Sequence, residues 1–435
     1  MPDDERLTAR EFRQATGVED WRVLADGAEA WFDTSSHTAG AALIHRIIEL
    51  TGAEERRPEL DLRATGVRVR IGAGDPDGLV PADLDTARVI SAAARDLALT
   101  ADPSALQSFR VAFAAQDPEP ILTFWRDVLG YRPDGADGLV DPLRRDPAVC
   151  CRQVDEPRPL RNRFHLDVAR PHPIVLDTLA TIKAAGAREA FVGDYYGTIA
   201  DADGNEVDLI PLAPGGDRLS GEQLGGDGSD WGPETADWRI LFGAMIFYPV
   251  AAPLRAAELA GTVARIADGA GLPLLIDLRP DGVMIDTAKD QWEDVRFAEL
   301  APKVQAAARG MSLTADQTPL RFVQVGIDAV DVPVVRAFWC AALGYELDPR
   351  PFVTDLYDPR RLNPPVFFQL ITEPAEERLR QRNRTRIELS LPGDQVATRV
   401  ESALAAGGRV RDEEAVDGRW LIADPEGNEV LIIAG

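Results

Sequence analysis

With 435 residues, an apolar fraction of 45% and a formal charge of −25, the chain has material for several hydrophobic cores and is strongly acidic. A polyanion with a pI of about 4.6 repels phosphate backbones and anionic lipid, so neither nucleic acid nor a membrane is an expected partner. Cys150, Cys151 and Cys340 lack zinc-knuckle or disulfide-framework spacing, no apolar run reaches membrane-spanning length, and Met1-Pro2-Asp3-Asp4-Glu5 opens no secretory signal, so a cytoplasmic location is expected.

In chain order, Trp21 precedes a strand, followed by a helix over 39–50, a strand over 67–71 and a helix over 81–97. Large apolar residues alternate over 109–113, which predicts a strand. Asp117 then serves as an N-cap with Pro118 at the first helical position. Ile121, Leu122, Trp125 and Leu129 share one helical face, and Gly130 supplies the left-handed residue that ends the helix. A second strand over 164–168 and a helix over 173–185, ended by Gly186, lead to the turn Asp203-Gly204-Asn205 between two closing strands. The glycine- and aspartate-rich stretch 214–234 reads as a linker. The later part repeats the plan, with Asp394 before its second helix and Gly407 after it.

The chain is internally duplicated. Phe124-Trp125-Arg126-Asp127-Val128-Leu129-Gly130-Tyr131 reappears as Phe338-Trp339-Cys340-Ala341-Ala342-Leu343-Gly344-Tyr345, and Asp201-Ala202-Asp203-Gly204-Asn205-Glu206-Val207 as Asp424-Pro425-Glu426-Gly427-Asn428-Glu429-Val430. Arg161-Asn162-Arg163 matches Arg382-Asn383-Arg384, Asp61-Leu62-Arg63 matches Asp277-Leu278-Arg279, and Asp20-Trp21-Arg22 matches Asp237-Trp238-Arg239, at offsets between 214 and 223 residues.

The phrases F-W-x-x-x-L-G-Y, N-R-x-x-x-[LV]-x-[LV] and D-x-x-G-N-E-V resemble the vicinal-oxygen-chelate (glyoxalase/bleomycin-resistance) superfamily, which implies βαβββ modules. The first half of each copy resembles pterin-4a-carbinolamine dehydratases in element order. Where that family has His-His-Pro, this chain has Arg56-Arg57-Pro58 and Gly271-Leu272-Pro273, with Asp83 or Asp85 following in the first copy. Arginine stays protonated near neutrality and is no general base, so dehydratase activity is not expected.

The expected class is therefore α+β and internally duplicated: a degenerate pterin-dehydratase-like domain (1–104), a glyoxalase-like domain of paired βαβββ modules (105–213), a linker (214–234), and the second copies of the two domains (235–316 and 317–435). The superfamily's catalytic members hold a divalent ion with His, Gln or Glu at four strand positions. By that resemblance the first copy offers Arg110, Arg152, His165 and Asp208, and the second Gln324, Gln369, Arg386 and Leu431. So grouped, neither set makes a full site. The resulting expectation is a small-molecule-binding, metal-independent protein without a cofactor, its ligand touching Arg110, Arg152, Arg163, Gln324, Gln369, Arg384 and Arg386. The alternative is a lyase, isomerase or dehydratase in the first copy, acting through His165, Asp208 and Asp167. Self-pairing of the two units and a homodimer both stay open.

Overall fold

A computed structural model describes residues 6–25, 27–52, 56–73, 78–218, 232–373, 375–411 and 418–435. Most of the expected linker, 219–231, lies outside the described residues. The chain divides into two compact units: unit 1 holds 1–106, 217–320 and 435, and unit 2 holds 107–216 and 321–434. Each unit thus draws on both copies. Among the described residues no helix is long and apolar enough to cross a membrane.

Unit 1 is built on a nine-stranded sheet. Its central pair, Glu59–Arg63 and Leu275–Arg279, runs antiparallel with Asp61 opposite Asp277, so the two copies meet about a local two-fold axis. Like charges directly opposite each other destabilise a sheet. Here each is matched by the other copy's arginine: Arg279 donates to Asp61 at 2.5 Å and Arg63 to Asp277 at 2.6 Å. Arg68 adds a bond to Asp61 at 2.7 Å. Burial pushes the Asp61 carboxyl up, yet the surrounding guanidiniums hold it well below the usual range. Helices His37–Thr51, Pro81–Asp96, Pro253–Ala270 and Phe297–Gly310 contribute apolar residues to this unit's core.

Unit 2 contains four βαβββ modules. Module I has strands β1 (Ser108–Ala115), β2 (Arg132–Asp134), β3 (Gly138–Val140) and β4 (Ala148–Gln153), with helix α1 (Pro118–Leu129) after β1. Module II has β5 (Phe164–Ala169), β6 (Arg188–Val192), β7 (Gly197–Ala200) and β8 (Glu206–Ile210), with α2 (His172–Ala184). Module III has β9 (Phe322–Ala329), β10 (Glu346–Leu347), β11 (Leu356–Tyr357) and β12 (Val366–Leu370), with α3 (Val332–Leu343). After the short helix α4 (Glu376–Arg380), module IV has β13 (Thr385–Leu391), β14 (Arg409–Val410), β15 (Arg419–Ala423) and β16 (Glu429–Ala434), with α5 (Val396–Ala405).

The helix signals act as their chemistry predicts. Asp117 accepts a bond from the Glu119 N–H, and Gly130 ends α1 at a φ of 66°. Trp125 and Trp339 are fully buried, and each donates its indole N–H at 3.0 Å to the aspartate that opens the D-x-x-G-N turn, Asp201 and Asp424. The same aspartates accept from the backbone N–H groups of Asn205 and Asn428. The two repeated phrases are therefore one structural lock.

The modules do not pair as the sequence order suggests. Module II joins module III in one eight-stranded sheet, through antiparallel β5 and β9, and module IV joins module I in another, through β13 and β1. Each eight-stranded sheet is thus half first copy and half second copy. The expectation of paired modules within one copy is corrected. The Arg-Asn-Arg phrases fasten this exchange. Arg163 Nε donates to Asn428 Oδ1 at 2.8 Å, Arg384 Nε to Asn205 Oδ1 at 3.0 Å, and Asn162 and Asn383 accept from the Arg384 and Arg163 backbone N–H groups.

Candidate functional site

Strand periodicity decides which side chains share a face. On β5, Phe164, Leu166 and Val168 enter the core, while His165 and Asp167 fall on the other face. On β8, Val207 and Leu209 are core, leaving Asp208; on β9, Val323, Val325 and Ile327 are core, leaving Gln324, Gly326 and Asp328. The register then aligns them. Asp167 stands between Asp208 and Gln324 across three neighbouring strands, and His165 occupies the adjoining rung opposite Gly326.

The exchange of modules brings four of the sequence candidates together. His165, Asp167 and Asp208 present ligand atoms that all lie within 4.8 Å of one another. Gln324 Nε2 donates to Asp167 Oδ2 at 2.7 Å, which leaves its carbonyl oxygen, Oε1, buried with no hydrogen-bond partner among the described residues. His165 Nε2 is likewise buried without a hydrogen bond, 3.6 Å from Asp167 Oδ1. Nδ1 of the same ring is 4.0 Å from Asp328 Oδ1, and Asp328 itself pairs with Arg378 at 2.5 Å. Asp208 accepts from the Thr198 hydroxyl at 2.5 Å. Burial raises the Asp208 carboxyl above its ordinary value, against the lowering effect of that hydrogen bond and of His165.

Donor atoms about 2.0–2.2 Å from a tetrahedral zinc-like ion lie about 3.3–3.6 Å apart, so a group spread over as much as 4.8 Å closes on an ion by side-chain shifts of about 1 Å. Imidazole and carboxylate together suit a first-row divalent cation, and two buried atoms without hydrogen bonds, His165 Nε2 and Gln324 Oε1, are what a cation would satisfy. The residues fit such an ion.

The equivalent place in the second sheet is different. Arg386 replaces His165, Glu388 replaces Asp167, Leu431 replaces Asp208 and Arg110 replaces Gln324. Arg386 donates to Glu388 Oε1 through Nε at 3.0 Å and Nη2 at 2.8 Å, and Arg110 to Oε2 at 2.6 Å. Arg152 stands 4.0 Å from the same carboxylate. Burial pushes Glu388 up, but Arg110 and Arg386 outweigh it and hold the carboxyl below its usual range. One sheet carries the electron-pair donors and the other carries guanidiniums.

Other sequence candidates go elsewhere. Gln369 is exposed and level with Asp328 rather than with the cluster; the position beside Gly326 on β12 is Phe367, whose ring stands edge-on to His165 at 5.4 Å. Arg163 and Arg384 are buried in the turn contacts described above. Asp328, Gly326, Phe367 and Glu388 were missed by sequence reasoning, although the two-residue period from Gln324 reaches Gly326 and Asp328. Burial pushes the Cys150 thiol to about 11 and Cys151 to about 12, which removes both as nucleophiles at neutral pH. In unit 1, Arg56 is held by Asp83 at 3.1 Å.

This arrangement of βαβββ modules around strand-borne polar residues defines a duplicated vicinal-oxygen-chelate fold. Residues 110–210 and 324–433 match the family described as Glyoxalase-like domain, so the chain carries two copies of that domain. It is similar in structure to glyoxalase I from Zea mays, at 12% identity over 75% of this chain and 93% of that one, with a TM-score of 0.37. It is also similar to the cppA protein of Streptococcus pneumoniae, at 8% identity over 75% and 97%, with a TM-score of 0.33. Likenesses this distant lend no activity to the chain. No curated protein matches the sequence.

Proposed function

We propose that this protein is a small-molecule enzyme of lyase or isomerase type, working at a single divalent-cation site on the sheet shared by modules II and III. The observation that carries this reading is the convergence of His165, Asp167 and Asp208 within 4.8 Å beside the unbonded Oε1 of Gln324. His165 and Asp208 would hold the ion, with Asp167 completing the set and Gln324 orienting Asp167 through its amide. A bound divalent ion supplies Lewis-acid polarisation of a substrate oxygen. Burial raises the Asp208 carboxyl in the ion-free protein, and a bound cation would offset that by favouring the ionised form as a ligand. Thr198 holds one oxygen of that carboxylate and so directs the other.

A metal-independent binding protein is the second reading. The observation favouring it is the second sheet, where Arg386 and Arg110 neutralise Glu388 with no ion needed. For unit 1 we propose a scaffold role, since Arg56 is engaged by Asp83 and Gly271-Leu272 offers no acid or base.

Calorimetric titration of the metal-stripped protein with Zn²⁺ or Mn²⁺ separates the readings. The enzyme reading expects one ion per chain, with affinity lost in His165→Ala and Asp208→Asn and kept in Arg386→Gln. No saturable binding supports the metal-independent reading, and binding indifferent to His165→Ala overturns this site.

A further inference from the structure

Unit 2 also contains a cavity of about 490 Å³, within the usual range for a small organic ligand. It lies beside the Arg161–Glu206 ion pair, which is 2.9 Å long, and below the turn at Gly204. The cavity exists because of a local difference between the copies. Arg384 Nη1 donates to the carbonyls of Arg158 and Leu160, while its counterpart Arg163 donates to Leu379. In the second copy the corresponding segment coils into α4, and Arg378 on it donates to the carbonyls of Arg161 and Asn162. In the first copy Pro157 and Pro159 deny the backbone N–H groups and bias the preceding residues away from helix, and the segment forms no helix.

The charge of this space is opposite to that of the protein. Its lining includes Arg158, Arg161, Arg188 and Arg384 against Glu156, Asp203 and Glu206, an excess of positive charge on a chain of net −25. Arg161 is matched by Glu206, and Arg384 donates to carbonyl and amide oxygens rather than to a carboxylate. Arg188 is exposed, with no carboxylate paired to it among the described residues. Arg188 Nη2 and Arg384 Nη2 lie 3.3 and 3.4 Å from the point where a Cβ on Gly204 would stand. Two guanidiniums therefore converge on one spot at the cavity wall. Arg384 is committed to carbonyl and amide oxygens and contributes its charge, while the exposed Arg188 guanidinium presents the planar fork that matches an oxyanion.

We propose that this cavity binds a small organic molecule bearing a carboxylate or phosphate, with Arg188 as the contact that grips the oxyanion and the Arg384 charge beside it. The site does not require the cation described above.

Succinate, inorganic phosphate and uncharged succinamide are the probes, titrated by ¹⁵N-detected chemical shift at low ionic strength into the full chain. Saturable shifts of the Gly204 amide with succinate or phosphate, and none with succinamide, are expected; whichever anion binds tighter tells carboxylate from phosphate. Arg188→Ala should weaken binding about tenfold, with Arg188→Lys in between, as loss of a charge-assisted bond implies. His165→Ala should bind the anion as the wild type does, which keeps this result separate from the fate of the metal reading. Equal response to succinamide, or unchanged affinity in Arg188→Ala, overturns the proposal.

Discussion

The imidazole of His165 occupies the space that a side chain at position 326 would need: a Cβ built on Gly326 would lie 2.2 Å from His165 Cε1. The two residues face each other across β5 and β9, one from each copy. Gly326→Ala must therefore rotate the imidazole away from Asp167 and Asp208 or spread the strands. We expect divalent-ion affinity to fall at least about tenfold and stability to fall by about 1–3 kcal/mol, the usual cost of overpacking. Metal titration alongside urea unfolding checks both. An unchanged affinity would mean that the ring position is irrelevant to the site.

Ion loading should depend on pH through Asp208. Its carboxyl is raised by burial, so in the ion-free protein it takes up a proton at a higher pH than a surface aspartate does, and a proton there competes with the ion. Occupancy should decline on acidification from above the ordinary carboxylate range. Thr198→Val removes a bond that lowers this carboxyl, so the loading midpoint should move to higher pH. A midpoint that stays put or moves down counts against Asp208 as a ligand.

Arg163 ties module II to the turn at Asn428 and to the Leu379 carbonyl. Arg163→Ala leaves those buried acceptors without a charged donor, at a cost of about 2–4 kcal/mol. Denaturant unfolding measures it, and the calorimetric ion affinity should stay near that of the wild type. Loss of ion binding at retained fold would give Arg163 a site role that its bonds do not suggest.

Asp146 gives a separate pH dependence of stability. Burial raises its carboxyl to about 6, even though Arg321 donates to it at 2.8 Å. In the unfolded chain the value is about 3.9. Between those values the folded protein holds the extra proton, so this group's contribution to stability falls as pH rises from about 4 to 6 and is then level. Asp146→Asn should flatten that decline, read as the difference in unfolding free energy at pH 4 and pH 7. Identical slopes in variant and wild type would contradict the assignment.

Much of the architecture was legible in the sequence. Asp117, Pro118 and Gly130 bound α1 because capping chemistry is local, and the D-x-x-G-N phrase forms its turn because Asp201 and Asp424 bond residues only two to four positions away. His165 and Asp167 fell on the same face because strand period is a property of one strand. Which strand lies beside β5 is not such a property. Alternation assigns a face but not a neighbour, so His165 was grouped with Arg110 and Arg152 when its cross-strand partner is Gly326, with Gln324 opposite Asp167. Gln369 holds on β12 the register position that Arg152 holds on β4, opposite Asp328 and Ala114 respectively. The pairing of Arg163 with Asn428 could have been suspected only from the matching Arg-Asn-Arg spacing in both copies.

Anomalous difference density from crystals soaked in Mn²⁺ or Zn²⁺ tests the regrouping of donors most directly. A single strong peak per chain, bounded by His165, Asp167 and Asp208, is the predicted result, with none beside Arg386 and Glu388. A map without a peak at His165, or with its peak in the guanidinium-bearing sheet, would contradict the account.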